Sequence, residues 1–177
     1  MEEISYYILK KLCSISTSEM NYSFNLIFKK YSKLVYYVAF DILKDDDETK
    51  DIVNETFMKM YENRRKFMSE SSLKYFLLVS AKNLAINRYN KLKNHLPYDD
   101  DISSSKEDIE SNSNISIYLE KFKEILDEKE YRYLVLHLLY EFSFKEIAKT
   151  YDLTTSQVSS KYRRALEKLK SFYKGAK

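Results

Sequence analysis

One glycine and one proline in 177 residues leave little material for tight turns. Hairpins and sheets draw on both residues, so their scarcity argues against strands and for an all-helical chain. A single cysteine, Cys13, excludes an internal disulfide framework and a thiolate zinc site. The two histidines, His95 and His137, lie far apart in sequence. Metal binding and imidazole catalysis therefore have little support, and His137, inside "LVLHLLY", is expected to be a packed or partly exposed helix residue. There is no Gly-rich phosphate loop and no nucleophile–base pairing to suggest an enzyme. Neither a cofactor nor a metal is expected. No apolar run approaches the length that spans a bilayer. The first residues, "MEEISYY", are acidic where a signal peptide is basic. The expectation is a cytoplasmic protein with no membrane insertion.

What is present is an apolar content of 44%, enough for a globular chain, and a charge pattern in blocks. The net charge is only +3. Residues 45–55 carry Asp45, Asp46, Asp47, Glu48, Asp51 and Glu55 against Lys50 alone. Residues 59–93 carry Lys59, Arg64, Arg65, Lys66, Lys74, Lys82, Arg88, Lys91 and Lys93 against Glu62 and Glu70. Residues 99–110 are acidic again, and 156–177 are basic. Solvated helix faces usually mix both signs. Blocks of one sign point to separate partner surfaces.

Apolar residues at helical spacing predict helices over 2–15, 22–43, roughly 48–65 and 72–94, with "MSESS", residues 68–72, as a loop. The pattern stops over "HLPYDDDISSSKEDIESNSN", residues 95–114. This stretch holds the one proline, many serines and asparagines, and six acidic residues (Asp99, Asp100, Asp101, Glu107, Asp108, Glu110) against Lys106. Its composition predicts a flexible acidic linker. Periodicity resumes at 115 and runs to the end. The organisation expected is two small helical domains, 1–94 and 115–177, joined by 95–114. Asp127 and Glu130, and later Thr154 and Gln157, have capping-box spacing.

Within 115–177, "FKEIAKTYDLTTSQVSSKYRRA" fits a helix-turn-helix. Ala148 is small where two helices cross, Leu153 plugs the turn, and Val158 faces inward. Asp152 stands where glycine is usual; aspartate tolerates the left-handed conformation better than most residues. The second helix opens with small residues, Thr155, Ser156, Ser159 and Ser160, which let it enter a major groove about 12 Å wide. Gln157, Ser160, Lys161 and Arg164 are candidates for base edges. Arg163, Lys168 and Lys170 are candidates for phosphate. An amphipathic terminal helix with a basic outer face is the alternative.

"DIVNETFMKMYENRRKF", a short loop and "LKYFLLVSAKNLAINRYNKLK" follow an apolar helix pair. In this order they resemble region two of extracytoplasmic-function sigma factors, the subunits that give bacterial RNA polymerase its promoter specificity. Residues 117–173 resemble region four of the same family. The resemblance covers roughly 150 residues. It implies that "DIVNETF" docks on the clamp helices of the largest polymerase subunit, through Asp51, Asn54 and Glu55 with Met58 as an apolar neighbour. Asn54 departs from the usual glutamine. A plain alternative for Asp51 and Glu55 is that carboxylates favour the N-terminal half of a helix.

The resemblance also implies that residues 67–91 handle the minus-10 promoter element. Loop residues Met68 to Ser72 would pocket an unstacked base, with Phe67 as an aromatic platform. Lys82, Asn83, Asn87 and Arg88 would touch bases or phosphates, and Lys91 and Lys93 would add backbone attraction. Tyr75 and Phe76 are expected in the core. Phe76 stands where the family often has tryptophan, and Ser80 where it often has isoleucine. Residues 154–170 would read the minus-35 element. Asp99, Asp100 and Asp101 either mimic nucleic-acid charge in the polymerase channel or form a solvated tether. Core RNA polymerase and promoter DNA are the implied partners, and an anti-sigma factor is a further one. The competing reading is a stand-alone helix-turn-helix regulator, which leaves "DIVNETF" and the basic 82–93 segment without a purpose. A helical adaptor that binds proteins alone leaves the arginine and lysine clusters unexplained.

Overall fold

The computed structural model describes residues 4–95 and 113–175. The chain divides into two compact units, Met1–Lys106 and Glu107–Lys177. The linker read over 95–114 lies outside the described residues, apart from the helical positions His95, Ser113 and Asn114. Among the described residues all regular structure is helical, and no helix is long and apolar enough to cross a membrane.

Unit one holds α1 (Tyr6–Lys11), α2 (Thr17–Leu43), α3 (Asp46–Glu62) and α4 (Glu70–His95), with a 3-10 turn over Arg64–Lys66 between the last two. α1 is shorter than its apolar spacing suggests. Serines end it: Ser14 Oγ donates to Glu19 Oε2 at 2.9 Å and accepts from the Ser16 N–H at 3.1 Å, which turns the chain into α2. α2 packs on α3 and α4, and these pack on each other. Ile27, Leu34, Val35 and Val38 of α2 meet Ile52, Phe57 and Met60 of α3 and Leu73, Leu77 and Leu78 of α4 in a buried core. Full burial of one such side chain stabilises by about 1.5–3 kcal/mol.

The acidic run 45–48 works as a helix start. The Asp45 side chain accepts from the Glu48 N–H at 2.8 Å, and Asp46, Asp47 and Glu48 occupy the first turn of α3, where the macrodipole favours them. α4 begins two residues earlier than its apolar pattern. Ser69 and Ser72 exchange side-chain and backbone bonds of 3.2 and 3.3 Å, so the expected 68–72 loop shrinks to Phe67–Ser69.

Glu70, in the first turn of α4, ties three segments together. It accepts from the Ile4 N–H at 3.0 Å, from Lys30 at 2.6 Å and from the Tyr31 hydroxyl. Ile4, Leu9 and Leu12 are buried. Burial pushes the Glu70 carboxyl up, but Lys30, Tyr31 and the Ile4 N–H outweigh it and hold the group below its ordinary 4.5. A carboxyl depressed on folding stabilises above its unfolded value and loses that contribution as the pH falls through the folded one. Glu70→Gln should therefore lower unfolding stability by about 1–2 kcal/mol at neutral pH, since it weakens charge-assisted bonds. The difference from wild type should shrink below about pH 4.5. Denaturant titrations at several pH values check both points.

Unit two holds α5 (Ser113–Ile125), α6 (Glu128–Leu138), α7 (Phe144–Thr150) and α8 (Thr155–Gly175). Three capping boxes set the starts of α6, α7 and α8. Asp127 with Glu130, and Thr154 with Gln157, are the two read from spacing. Ser143 with Glu146 is a third of the same S-x-x-E form. Leu134, Leu136, Phe142, Ile147, Val158 and Ala165 form the core.

Candidate nucleic-acid interfaces and docking face

α7 and α8 are joined by Tyr151–Thr154. Asp152 is left-handed at φ 54°, and the Leu153 N–H donates back to the Ala148 carbonyl at 2.9 Å. That bond is a Schellman closure, and it needs a left-handed residue at position 152. Aspartate does here what glycine does more often. Ala148 and Val158 are buried at the crossing, and Leu153 is half-buried in the turn.

Val158, Ala165 and Leu169 fix the inward stripe of α8. Helical spacing then sends Ser156, Ser160, Arg163 and Arg164 to the opposite side. Both arginines are exposed and have no ion-pair partner among the described residues. Thr155, Ser156 and Gln157 are exposed on the first turn, and Ser159 and Ser160 are half-buried. Gln157 uses its carbonyl oxygen on the Thr154 N–H at 2.8 Å, which leaves the carboxamide N–H groups as its outward donors.

Two other cations of α8 are engaged within the unit. Lys161 Nζ donates to Asp127 Oδ2 at 2.9 Å, and Lys168 Nζ to Glu130 Oε2 at 2.7 Å. Both lie on the flank of α8 that faces α6. The expectation that Lys161 meets a base edge and Lys168 a phosphate has to accommodate these pairs. Burial pushes the Asp127 carboxyl up, while the Glu130 N–H and Lys161 hold it below its ordinary range. A shallow groove runs beside this flank, lined by Lys129 and Tyr133 of α6 and by Ser156, Gln157, Ser160 and Arg164 of α8.

In unit one, Asp51, Asn54, Glu55 and Met58 share one face of α3, at i, i+3, i+4 and i+7. The Asp51 side chain is 68% exposed and Met58 64%. Asn54 is exposed as well, and Glu55 pairs at 3.4 Å with Lys59, an i,i+4 contact in solvent. The opposite face carries the buried Ile52, Val53, Phe57 and Met60. The result is an acidic stripe with an apolar residue set into it.

On α4, Asn83, Asn87 and Lys91 form one exposed stripe, with Lys93 exposed and Lys82 half-buried beside it. Arg88 departs from the expectation of a nucleic-acid contact. It continues the inward stripe of Ala81 and Ala85, and its guanidinium bonds Glu48 of α3 and lies 3.8 Å from Asp51. Phe67 departs from it too. The ring is buried and meets Phe76 edge-on at 5.1 Å, so it offers no face to a base. Met68, 67% exposed, is the apolar side chain of the short loop that faces solvent. The exposed Arg65 lies just before it and adds a cation that the spacing does not single out.

Two family models match the chain in order. Sigma-70 region 2 matches residues 27–95, and sigma-70 region 4 matches residues 124–171. Two curated relatives come from Bacillus subtilis strain 168. The ECF RNA polymerase sigma factor SigX is 24% identical over 162 residues, covering 85% of this chain and 84% of SigX. The ECF RNA polymerase sigma factor SigM is 26% identical over 152 residues, covering 83% of this chain and 93% of SigM.

The chain belongs to the extracytoplasmic-function sigma factors.

In this sigma factor, the region 2 match runs from within α2 to the end of α4, with the acidic stripe and the Asn83–Lys91 face inside it. The region 4 match spans α6 to α8. Ile4 and α1 precede both matches, while Glu70, Lys30 and Tyr31, which complete the clasp on Ile4, lie inside the region 2 match. Two solved structures share the fold. One is the sigma factor RpoE in complex with the anti-sigma factor NepR from Bartonella quintana, with a TM-score of 0.58 and 17% identity over 85% of this chain and 96% of that one. The other is CnrH in complex with the cytosolic domain of CnrY, with a TM-score of 0.55 and 15% identity over 97% of this chain and 98% of that one.

Proposed function

We propose that this sigma factor docks the Asp51–Met58 stripe of α3 on the clamp helices of the largest polymerase subunit. α8 then enters the major groove of a minus-35 element. Asn83, Asn87, Lys91 and the Met68 loop engage the minus-10 element as it opens. No covalent chemistry is involved. Opening costs a few kcal/mol per unstacked step, which captured bases and phosphate contacts offset. The protein acts in the cytoplasm. The complex of the Bartonella relative with an anti-sigma factor supports a similar regulatory partner here.

The observation that carries this reading is the α3 stripe, in which solvent-facing carboxylates surround an exposed methionine. Such a surface suits a basic helical protein partner and repels DNA. A regulator that worked alone would have no use for it.

Promoter binding should therefore depend on polymerase. With core enzyme, the chain should start transcription at promoters selected from a bacterial genomic library and hold them at least about a hundredfold more tightly than it does alone. Gel shifts and run-off transcription measure this. Equal affinity with and without core enzyme would favour the stand-alone regulator.

A further inference from the structure

We infer that α6 is part of the DNA interface: Lys129 contacts the phosphate backbone, and Lys161 and Lys168 are positioning residues that make this contact possible. The inference rests on the reading of α8 as a DNA-recognition helix. α6 lies outside the helix-turn-helix proper, and its first turn is acidic, with Asp127, Glu128 and Glu130 around a single lysine. Left unpaired, three carboxylates would repel phosphate.

The fold pairs each of them. Asp127 meets Lys161 at 2.9 Å, Glu128 meets Arg132 at 3.7 Å, and Glu130 meets Lys168 at 2.7 Å. Lys129 is left exposed, with no ion-pair partner among the described residues. It lines the same groove as Gln157, Ser160 and Arg164, on the flank of the recognition helix. With its acidic neighbours compensated, the first turn of α6 presents a net positive charge beside the residues that read DNA. A phosphate of the backbone bordering the major groove fits that position, and each such contact releases counterions.

The pair at Lys168 has a second consequence. The Glu130 side chain is 2% exposed, and its carboxylate also accepts the Asp127 N–H at 3.1 Å in the capping box. Removing Lys168 leaves a buried carboxylate uncompensated, close to the lysine that should hold the phosphate. The damage then arises from Glu130 rather than from a lost DNA contact.

The test uses the full chain assembled with core polymerase and a duplex promoter fragment that this assembly selects. Lys129→Ala should weaken binding about three- to tenfold near 0.15 M salt and reduce the slope of log K against log salt by about 0.9. Lys168→Met should weaken binding, and adding Glu130→Gln should restore most of the loss, because glutamine keeps the capping box without the charge. An unchanged salt slope in Lys129→Ala overturns the phosphate contact. A loss in Lys168→Met that Glu130→Gln leaves in place overturns the positioning role and returns Lys168 to the DNA. If the wild-type assembly selects no promoter, the proposed function fails instead. Lys129 is on the surface, so its variant should melt with the wild type.

Discussion

Reversing the charge of Asp51 and Glu55 together should reduce polymerase-dependent initiation by about a hundredfold or more. Truncating one partner of an interfacial charge pair costs about 2–5 kcal/mol, and a reversal adds repulsion to the loss. A change of 1.4 kcal/mol is already a factor of ten, so two positions reach the hundredfold scale. Asp51→Lys, Glu55→Lys should leave the unit folded, because both side chains face solvent and the packed face of α3 lies opposite. The within-chain contacts at stake are the 3.4 Å pair with Lys59 and the 3.8 Å approach of Arg88, whose main partner is Glu48. Co-sedimentation with core enzyme should fall in step with transcription, while circular dichroism and melting stay close to wild type. Initiation at the wild-type level in the double variant would refute the docking assignment.

Replacing Arg163 and Arg164 by alanine should separate DNA reading from everything else. Both side chains leave the outer face of α8, away from Val158, Ala165 and Leu169. An arginine that forks onto a base contributes about 1–3 kcal/mol of discrimination, whereas one on a phosphate lowers the salt slope by about 0.9 without changing preference. The double variant should bind a duplex promoter about a hundredfold more weakly within the polymerase assembly. Affinity for core enzyme should not change. Single variants tell the two roles apart: the base reader relaxes sequence preference at one position, and the phosphate reader weakens all sequences alike. If both single variants keep full affinity and full salt slope, α8 does not read DNA through this face.

The two predictions probe different units. Unit one carries the acidic α3 stripe and the exposed Asn83–Lys91 face, and unit two carries α8. Each face is opposite a buried apolar stripe, so its exposure follows from the helical repeat once the core is known. That is why the α3 stripe, the inward Val158 and the outward small residues of α8 could be read from spacing. The left-handed residue at the turn could also be read there, because the conformation is a local backbone matter and few residues tolerate it. The Ser143–Glu146 box was equally available in its S-x-x-E form.

Three assignments needed the folded chain. Phe67 lies between helices, where no periodicity tells a buried ring from an exposed one, and only its packing on Phe76 decides. Arg88 follows Ala81 and Ala85, whose small side chains mark the inward stripe weakly, and its carboxylate partner lies 40 residues earlier. Lys161 and Lys168 find partners 34 and 38 residues away. A basic helix looks the same in sequence whether its lysines point to phosphate or to a neighbouring helix.

Residue order alone was enough to read the all-helical class, the two-part organisation and the helix-turn-helix, which arise from short-range preferences: turn-forming scarcity, helical spacing and capping. The link to RNA polymerase came from the resemblance of two ordered motif sets to a family, not from those preferences. Which cations are taken up in ion pairs was decided by the packing of α8 on α6 and of α4 on α3. Charge pairing depends on distances of a few ångströms between segments far apart in the chain, and only tertiary structure sets those distances.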